Sequence, residues 1–128
     1  MTSYEIALLG AGALGGIGAV IHGRLTQTRI VGPVQNVMAG RISPSIRRLV
    51  TMLLHVSTVT WLAGGVALIV IALAVAPEAR LSSGLLVASS YLVATLGNLW
   101  ATRGRHPGWV LYGTACVLTL YGLLAPQA

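Results

Sequence analysis

Charged residues are scarce in this sequence: it has only two acidic residues, and Asp, Glu, Lys and Arg together make up 8% of the chain. Soluble globular proteins carry about 25% charged residues, so this composition argues against a soluble fold. The shortage of carboxylates also removes the carboxylate pairs and acid-oriented nucleophiles on which many enzymatic mechanisms depend. We therefore do not expect the protein to be an enzyme.

Cysteine and phenylalanine are also missing or nearly so, with one cysteine and no phenylalanine in the chain. The single Cys116 excludes an intramolecular disulfide, a CxxC redox pair and a cysteine zinc site. Apolar residues are abundant instead and account for 55% of the sequence. The protein is expected to reside in lipid.

Four apolar runs, at about residues 4–25, 44–76, 81–101 and 107–124, can each cross a hydrocarbon core that needs roughly 20 helical residues. The runs are continuous and lack the alternation of a barrel strand. The first is not read as a cleaved signal, because its flank carries Glu5 and no positive residue. We predict an all-α, integral membrane four-helix bundle that forms one domain over residues 1–128, with antiparallel neighbours and both termini on the same side.

Arginines are distributed unevenly between the two ends of these runs. Four crossings leave Arg80 alone on one side and bring the others to the opposite side: Arg24, Arg29, Arg41, Arg47, Arg48, Arg103 and Arg105. The positive-inside rule then predicts that the basic loops are cytoplasmic and that both termini lie outside. The net charge of +6 indicates anionic lipid as the partner rather than nucleic acid, because the basic residues are spread along a membrane edge.

The connection at residues 26–43 is predicted to be cytoplasmic and too long for a turn. Its apolar residues among arginines indicate either a segment in the headgroup region, broken at Gly32–Pro33, or a solvated loop. Ser43 followed by Pro44 is typical of an N-cap and a first helical residue, so the second helix is expected to begin there.

Polar residues recur at helical spacing along the second and third runs. They predict a polar pocket that faces the cytoplasm and is formed by Thr51, His55, Thr58, Asn98 and Thr102. Counting from the nearest arginines puts His55 about 10 Å and Asn98 about 7 Å inside the membrane edge, so these two are expected to pair. We expect His55 to be neutral and to face the bundle interior, in a pocket that also admits a small anion or an amphiphile headgroup.

The first run carries two overlapping patterns of small residues, formed by Ala11, Gly12, Gly15, Gly16 and Ala19. Small residues at this spacing let helices approach closely. This face is predicted to associate with a second copy or with another membrane subunit. The alternative is that it packs within its own bundle.

The three histidines raise the alternative of a cofactor site. His22, His55 and His106 are candidate metal ligands, and any two of them are candidate axial ligands of a b-type haem. Depth counting places them at different levels, which disfavours a single metal centre. A buried, hydrogen-bonded His55 is therefore our first expectation, and no cofactor is predicted ahead of it.

Three stretches, HGRL, RRLVTMLLHVSTVTW and TRGRHPGW, resemble a group of small four-span bacterial inner-membrane proteins with no established activity. The resemblance implies a bacterial inner-membrane location and implies that His22, His55 and His106 act together. The opening GAGALGGIGAVIHGRL is similar to the first helix of fluoride channels, but the asparagine-bearing second helix and the phenylalanine box of that family are missing. Small multidrug exporters need a carboxylate inside the first helix, and Glu5 lies too near its end.

These observations favour an accessory or scaffold subunit that acts through helix association. A haem- or metal-binding membrane protein is the main alternative, and a small transporter or channel is a further one.

Overall fold

The computed structural model describes residues 1–125, and every regular element within them is helical. The elements in chain order are α1 (Ser3–Thr26), a π-helical turn (Gln27–Val31), α2 (Gly32–Met38), α3 (Pro44–Ala74), α4 (Pro77–Thr102) and α5 (Gly108–Leu124). The predicted all-α class is confirmed. The four long helices begin and end within roughly one turn of the predicted apolar runs.

Two helix starts are determined by local capping. Thr2 and Glu5 form a capping box at the start of α1: the Thr2 hydroxyl accepts from the Glu5 N–H, and the Glu5 carboxylate accepts from the Thr2 N–H. Ser43 caps α3 by accepting a hydrogen bond from the Ile46 N–H, and Pro44 follows as the first helical residue. The start of α3 predicted at this Ser-Pro pair is confirmed.

The connection after α1 stays helical until Met38, so the break expected at Gly32–Pro33 is wrong. Pro33 has no N–H to donate to the preceding turn, which would normally interrupt a helix. Here the π-helical turn lies just before it, and the Gly32 N–H donates to the Gln27 carbonyl five residues earlier. This wider turn lets the chain pass Pro33 without a break, so only residues 39–43 form the link to α3.

Helix α1 lies between α3 and α5 and contacts both extensively. Helix α4 packs against α5, while α3 and α4 contact each other less extensively. The largest fully buried side chains are Leu8, Leu68, Tyr91 and Thr119, one from each long helix. The core is therefore shared by all four helices.

The small-residue face of α1 is used inside the chain. A Cβ on Gly12 would lie 2.6 Å from the Gly65 carbonyl oxygen, and one on Gly15 would overlap the Tyr91 hydroxyl. Ala11 and Ala19 on the same helix are fully buried. Of the predicted association face, only Gly16 has open space where a Cβ would be built. Gly12 and Gly15 thus pack against α3 and α4 within the chain, which is the alternative that the sequence left open, and association with a second copy or subunit stays a prediction.

Most of the outer surface is apolar. By length and composition, three stretches within the described residues can cross a membrane: Ser3–Met38, Pro44–Ala74 and Ala79–Thr102. Helix α5 is also apolar, but its 17 residues span only about 26 Å, at the short end of what crosses a bilayer. By length and composition, three described helical stretches are thus long enough to cross a membrane, whereas the sequence predicts four spans.

Candidate functional site

The residues of the predicted polar pocket lie at two different helix interfaces. Three of them lie where α3 packs against the helical segment that runs from α1 to α2. Thr51 contacts Gln35, His55 contacts Gln27, and Thr58 contacts Gly23. Asn98 and Thr102 lie at the end of α4, next to the connection to α5. The structure therefore places three of the five predicted pocket residues on one face of α3, and the other two, Asn98 and Thr102, at the end of α4.

Thr51 and His55 line a groove of about 450 Å³ between α2 and the beginning of α3. Its other lining residues are Gln35, Pro44, Arg47, Arg48 and Met52. We call this space the basic groove. It combines two guanidinium groups, which can donate hydrogen bonds to an anion, with an amide, a hydroxyl and an imidazole that already contact neighbours within the chain.

Gln35 holds the two sides of the basic groove together. Its Nε2 donates to the Arg47 carbonyl at 2.8 Å and to the Thr51 hydroxyl at 2.6 Å, and its Oε1 accepts from Arg47 Nε at 2.8 Å. The last contact orients the Arg47 guanidinium and leaves its two terminal nitrogens for another acceptor. Arg47 is partly buried, whereas Arg48 beside it is exposed.

His55 pairs with Gln27 rather than with Asn98. Its Nε2 lies 2.9 Å from Gln27 Oε1. Asn98 instead donates from Nδ2 to the Ala94 carbonyl of its own helix at 2.8 Å. The expected His55–Asn98 pair is not formed, because the helical continuation after Arg24 brings Gln27 next to His55, while Asn98 bonds within its own helix.

His22 takes the interior position that the sequence assigned to His55. Its Nε2 is 3.2 Å from the hydroxyls of both Ser57 and Thr26, and its ring meets the edge of Trp61 with centroids 4.6 Å apart. Thr26 is only 3% exposed. In a neutral imidazole Nε2 carries either one proton or one lone pair, so the two hydroxyls share it as partner.

Trp61 continues this cluster into the bundle. Its ring lies 4.4 Å from that of Tyr112, which lies 5.7 Å from that of Tyr91. The hydroxyls of Tyr91 and Tyr112 are buried without a hydrogen-bond partner in the part of the chain that the structure describes. Both rings pack over glycines of α1, since added Cβ atoms at Gly15 and Gly18 would meet their hydroxyls.

His106 lies in the short connection between α4 and α5. Its backbone N–H donates to the Thr102 hydroxyl at 3.3 Å, and its Nδ1 accepts from the Gly108 N–H at 3.0 Å. Accepting at Nδ1 places the proton of the neutral ring on Nε2. Thr102 thus supports the connection rather than a pocket shared with His55.

The three histidines have separate partners. Residues 1–125 contain no group of three or more His, Cys, Asp or Glu side chains placed to hold a metal ion. For a haem, the Nε2 atoms of His22 and His55 would first have to leave Ser57, Thr26 and Gln27. As arranged, His22 and His55 do not both present a free Nε2 to a haem iron.

Sequence reasoning missed Gln27 and Gln35, although each joins α3 to the preceding helical segment. Both lie in the stretch that was read as a loop, so neither was placed on a helix face. Their spacing of eight residues, about two helical turns, was the available signal. Thr26, four residues after His22, likewise marks the same helix face.

Comparison with known proteins adds no relative: no family model, no curated protein and no solved structure matches this chain.

Proposed function

We propose that this protein is a small multi-pass protein of the bacterial inner membrane that acts as an accessory subunit and binds anionic phospholipid headgroups in its basic groove. The observation that carries this proposal is the basic groove itself, where Gln35 fixes the Arg47 guanidinium beside Arg48, Thr51 and His55. Phosphate groups are matched by guanidinium donors.

The position of the basic groove suits a headgroup. The distance along α3 from Ala74 to Arg47 is about 40 Å, and the hydrocarbon core is about 30 Å thick. If Ala74 lies at the opposite edge, Arg47 falls at the level of the lipid phosphates. Seven of the eight arginines belong to this end of the bundle, which supports its placement on the cytoplasmic side.

Apolar residues beside the groove favour a lipid over a free anion. Met52 lines the groove and is 68% exposed, and Leu49 and Leu53 next to it are about half exposed or more. Acyl chains can cover such residues while the headgroup contacts the arginines. A small soluble anion would leave them uncovered.

Association with a second copy or with another subunit is part of this proposal. Gly12 and Gly15 are occupied within the chain, so association would use the outward-facing apolar residues of the long helices. In lipid, such contacts depend on close packing rather than on hydrophobic burial.

The experiment compares two double variants with the same change in net charge. Arg47→Gln/Arg48→Gln removes the groove arginines, whereas Arg103→Gln/Arg105→Gln removes two arginines outside it. Each is reconstituted with spin-labelled phosphatidylglycerol or phosphatidylcholine, and the motionally restricted lipid fraction is measured. The preference for phosphatidylglycerol should fall roughly five- to tenfold in the groove variant, and about half as much or less in the control.

Equal losses in the two variants would contradict a specific site and leave only a general attraction to acidic membranes. A membrane fraction without the protein, after expression of the full chain, would contradict the location itself.

A further inference from the structure

A second cleft lies between α3 and α4, which contact each other less extensively than α1 contacts α3 or α4 contacts α5. Its volume is about 460 Å³, and hydroxyl groups make up most of its polar lining. The polar residues are Ser57, Thr60 and Trp61 from α3 and Ser89 and Ser90 from α4. Leu53, Val56 and Val93 complete the walls. This lateral cleft contains no charged residue.

The lateral cleft lies near the middle of the apolar part of the bundle. Thr60 is about 21 Å along α3 from Ala74, and Ser89 is about 18 Å along α4 from Pro77. With a hydrocarbon core about 30 Å thick that begins at Ala74 and Pro77, both hydroxyls lie about 9 Å or more from either surface. Polar groups at this depth lack water and need a protein or ligand partner.

Only some of these groups have a partner within the chain. Ser57 shares a hydrogen bond with His22 at 3.2 Å, and Ser89 donates to the Leu86 carbonyl at 2.8 Å. Among residues 1–125, no hydrogen bond satisfies the Thr60 hydroxyl, the Ser90 hydroxyl or the Trp61 indole N–H. The lateral cleft thus has three donors left for an occupant.

We propose that the lateral cleft binds the head ring of a membrane quinone. A quinone ring is neutral and carries carbonyl acceptors, which match the Thr60, Ser90 and Trp61 donors and the absence of a charged lining residue. A phospholipid headgroup would have to bring its charge to this depth, at a large cost. The volume lies within the roughly 300–1,000 Å³ of typical small-molecule sites, and the isoprenoid tail can extend into the surrounding lipid.

Ser57 connects the lateral cleft to a titratable group. It lines the cleft and contacts His22, whose ring also meets Trp61. A bound ring would therefore lie one hydroxyl away from an imidazole and next to Trp61, which also lines the cleft. His22 acts here as a positioning residue, since it orients Ser57 and Trp61.

The inference rests on the proposed membrane location but not on the basic groove. It is tested by Trp61 fluorescence in the full chain in mild detergent, with Trp100→Phe and Trp109→Phe so that Trp61 is the only indole. Decylubiquinone is titrated as the probe, since quinones quench indole emission at short range. Saturable quenching is expected. Thr60→Val/Ser90→Ala should weaken the apparent affinity roughly tenfold through lost hydrogen bonds.

Ser82→Ala is the matched control, because Ser82 lies on α4 outside the lateral cleft and donates only to the Ala79 carbonyl. It should leave the titration unchanged. In a Trp61→Phe chain that keeps Trp100 and Trp109, quenching should be linear and weak.

Non-saturable quenching of Trp61, or an affinity unaffected by Thr60→Val/Ser90→Ala, would overturn the quinone site. A change in oligomeric mass in that variant without a change in quenching would assign the lateral cleft to a second copy instead. Either result with the protein in the membrane fraction leaves the proposed location intact.

Discussion

Gly12 of α1 and Gly65 of α3 bring two helix backbones into direct contact. A Cβ on Gly12 would lie 2.6 Å from the Gly65 carbonyl oxygen, and a Cβ on Gly65 would lie 2.7 Å from that of Gly12. Neither neighbour is a flexible side chain that can move aside. The closeness of α1 and α3 therefore depends on both residues being glycine.

We predict that Gly12→Ala lowers the free energy of unfolding by about 1–3 kcal/mol, since α1 and α3 must move apart. Gly97→Ala is the control, because a Cβ on Gly97 meets nothing within 4 Å and alanine favours the helix. Thermal unfolding in detergent followed by circular dichroism measures both. A stable Gly12→Ala chain of reduced oligomeric mass would show instead that this face joins separate copies.

Orientation is predicted from the arginines and can be tested with the two connections. In a Cys116→Ala chain, Ala76→Cys should react with an impermeant thiol reagent added to intact cells, and Ser45→Cys should react only after the membrane is opened. Both positions are exposed, and Ser45 leaves the Ser43 cap intact. The reverse labelling pattern would place the seven clustered arginines outside and contradict the positive-inside assignment.

The parts of the fold that follow from local chemistry could be predicted from the sequence. The Ser43–Pro44 start of α3 is one example, because capping depends on neighbouring residues only. The continuation of α1 to Met38 could not, because Gly32–Pro33 usually ends a helix. The helix continues here through a π-helical turn, which the spacing of apolar residues in the sequence does not predict.

The continued helix also bears on the candidate site. Counting from Arg24 places His22 near the membrane edge, and counting from Arg48 places His55 deeper. In the structure His22 contacts Ser57. His55 contacts Gln27, which lies in the π-helical turn just after α1. Thr51, His55 and Thr58 of α3 share one face, as their spacing predicts, but that face contacts the helical segment before α3 rather than α4. Which helices become neighbours depends on packing between distant parts of the chain. The pattern of polar residues within one helix does not show which other helix its polar face will contact.

The haem alternative predicts a clear optical signature. We expect protein purified with added haemin to show no split reduced absorption peaks, because the Nε2 atoms of His22 and His55 are held by different neighbours. Visible absorption spectra of the oxidised and reduced protein measure this. A Soret band that disappears in His22→Ala and His55→Ala chains would restore the bis-histidine site.

His22, which lies among the helices, and His55, which lines the basic groove, should differ in how much they contribute to stability. His22 is half-buried between Ser57 and Thr26, so His22→Leu leaves two hydroxyls without their partner and should lower the free energy of unfolding by about 1–2 kcal/mol. His22→Gln keeps a polar group in place and should recover part of that loss.

His55→Leu should lower the free energy of unfolding by about 0.5 kcal/mol or less, because its partner Gln27 is exposed and can bind water or headgroups. Chemical unfolding in one detergent gives all three values. A larger loss for His55→Leu than for His22→Leu would return His55 to the interior and contradict the placement of both residues.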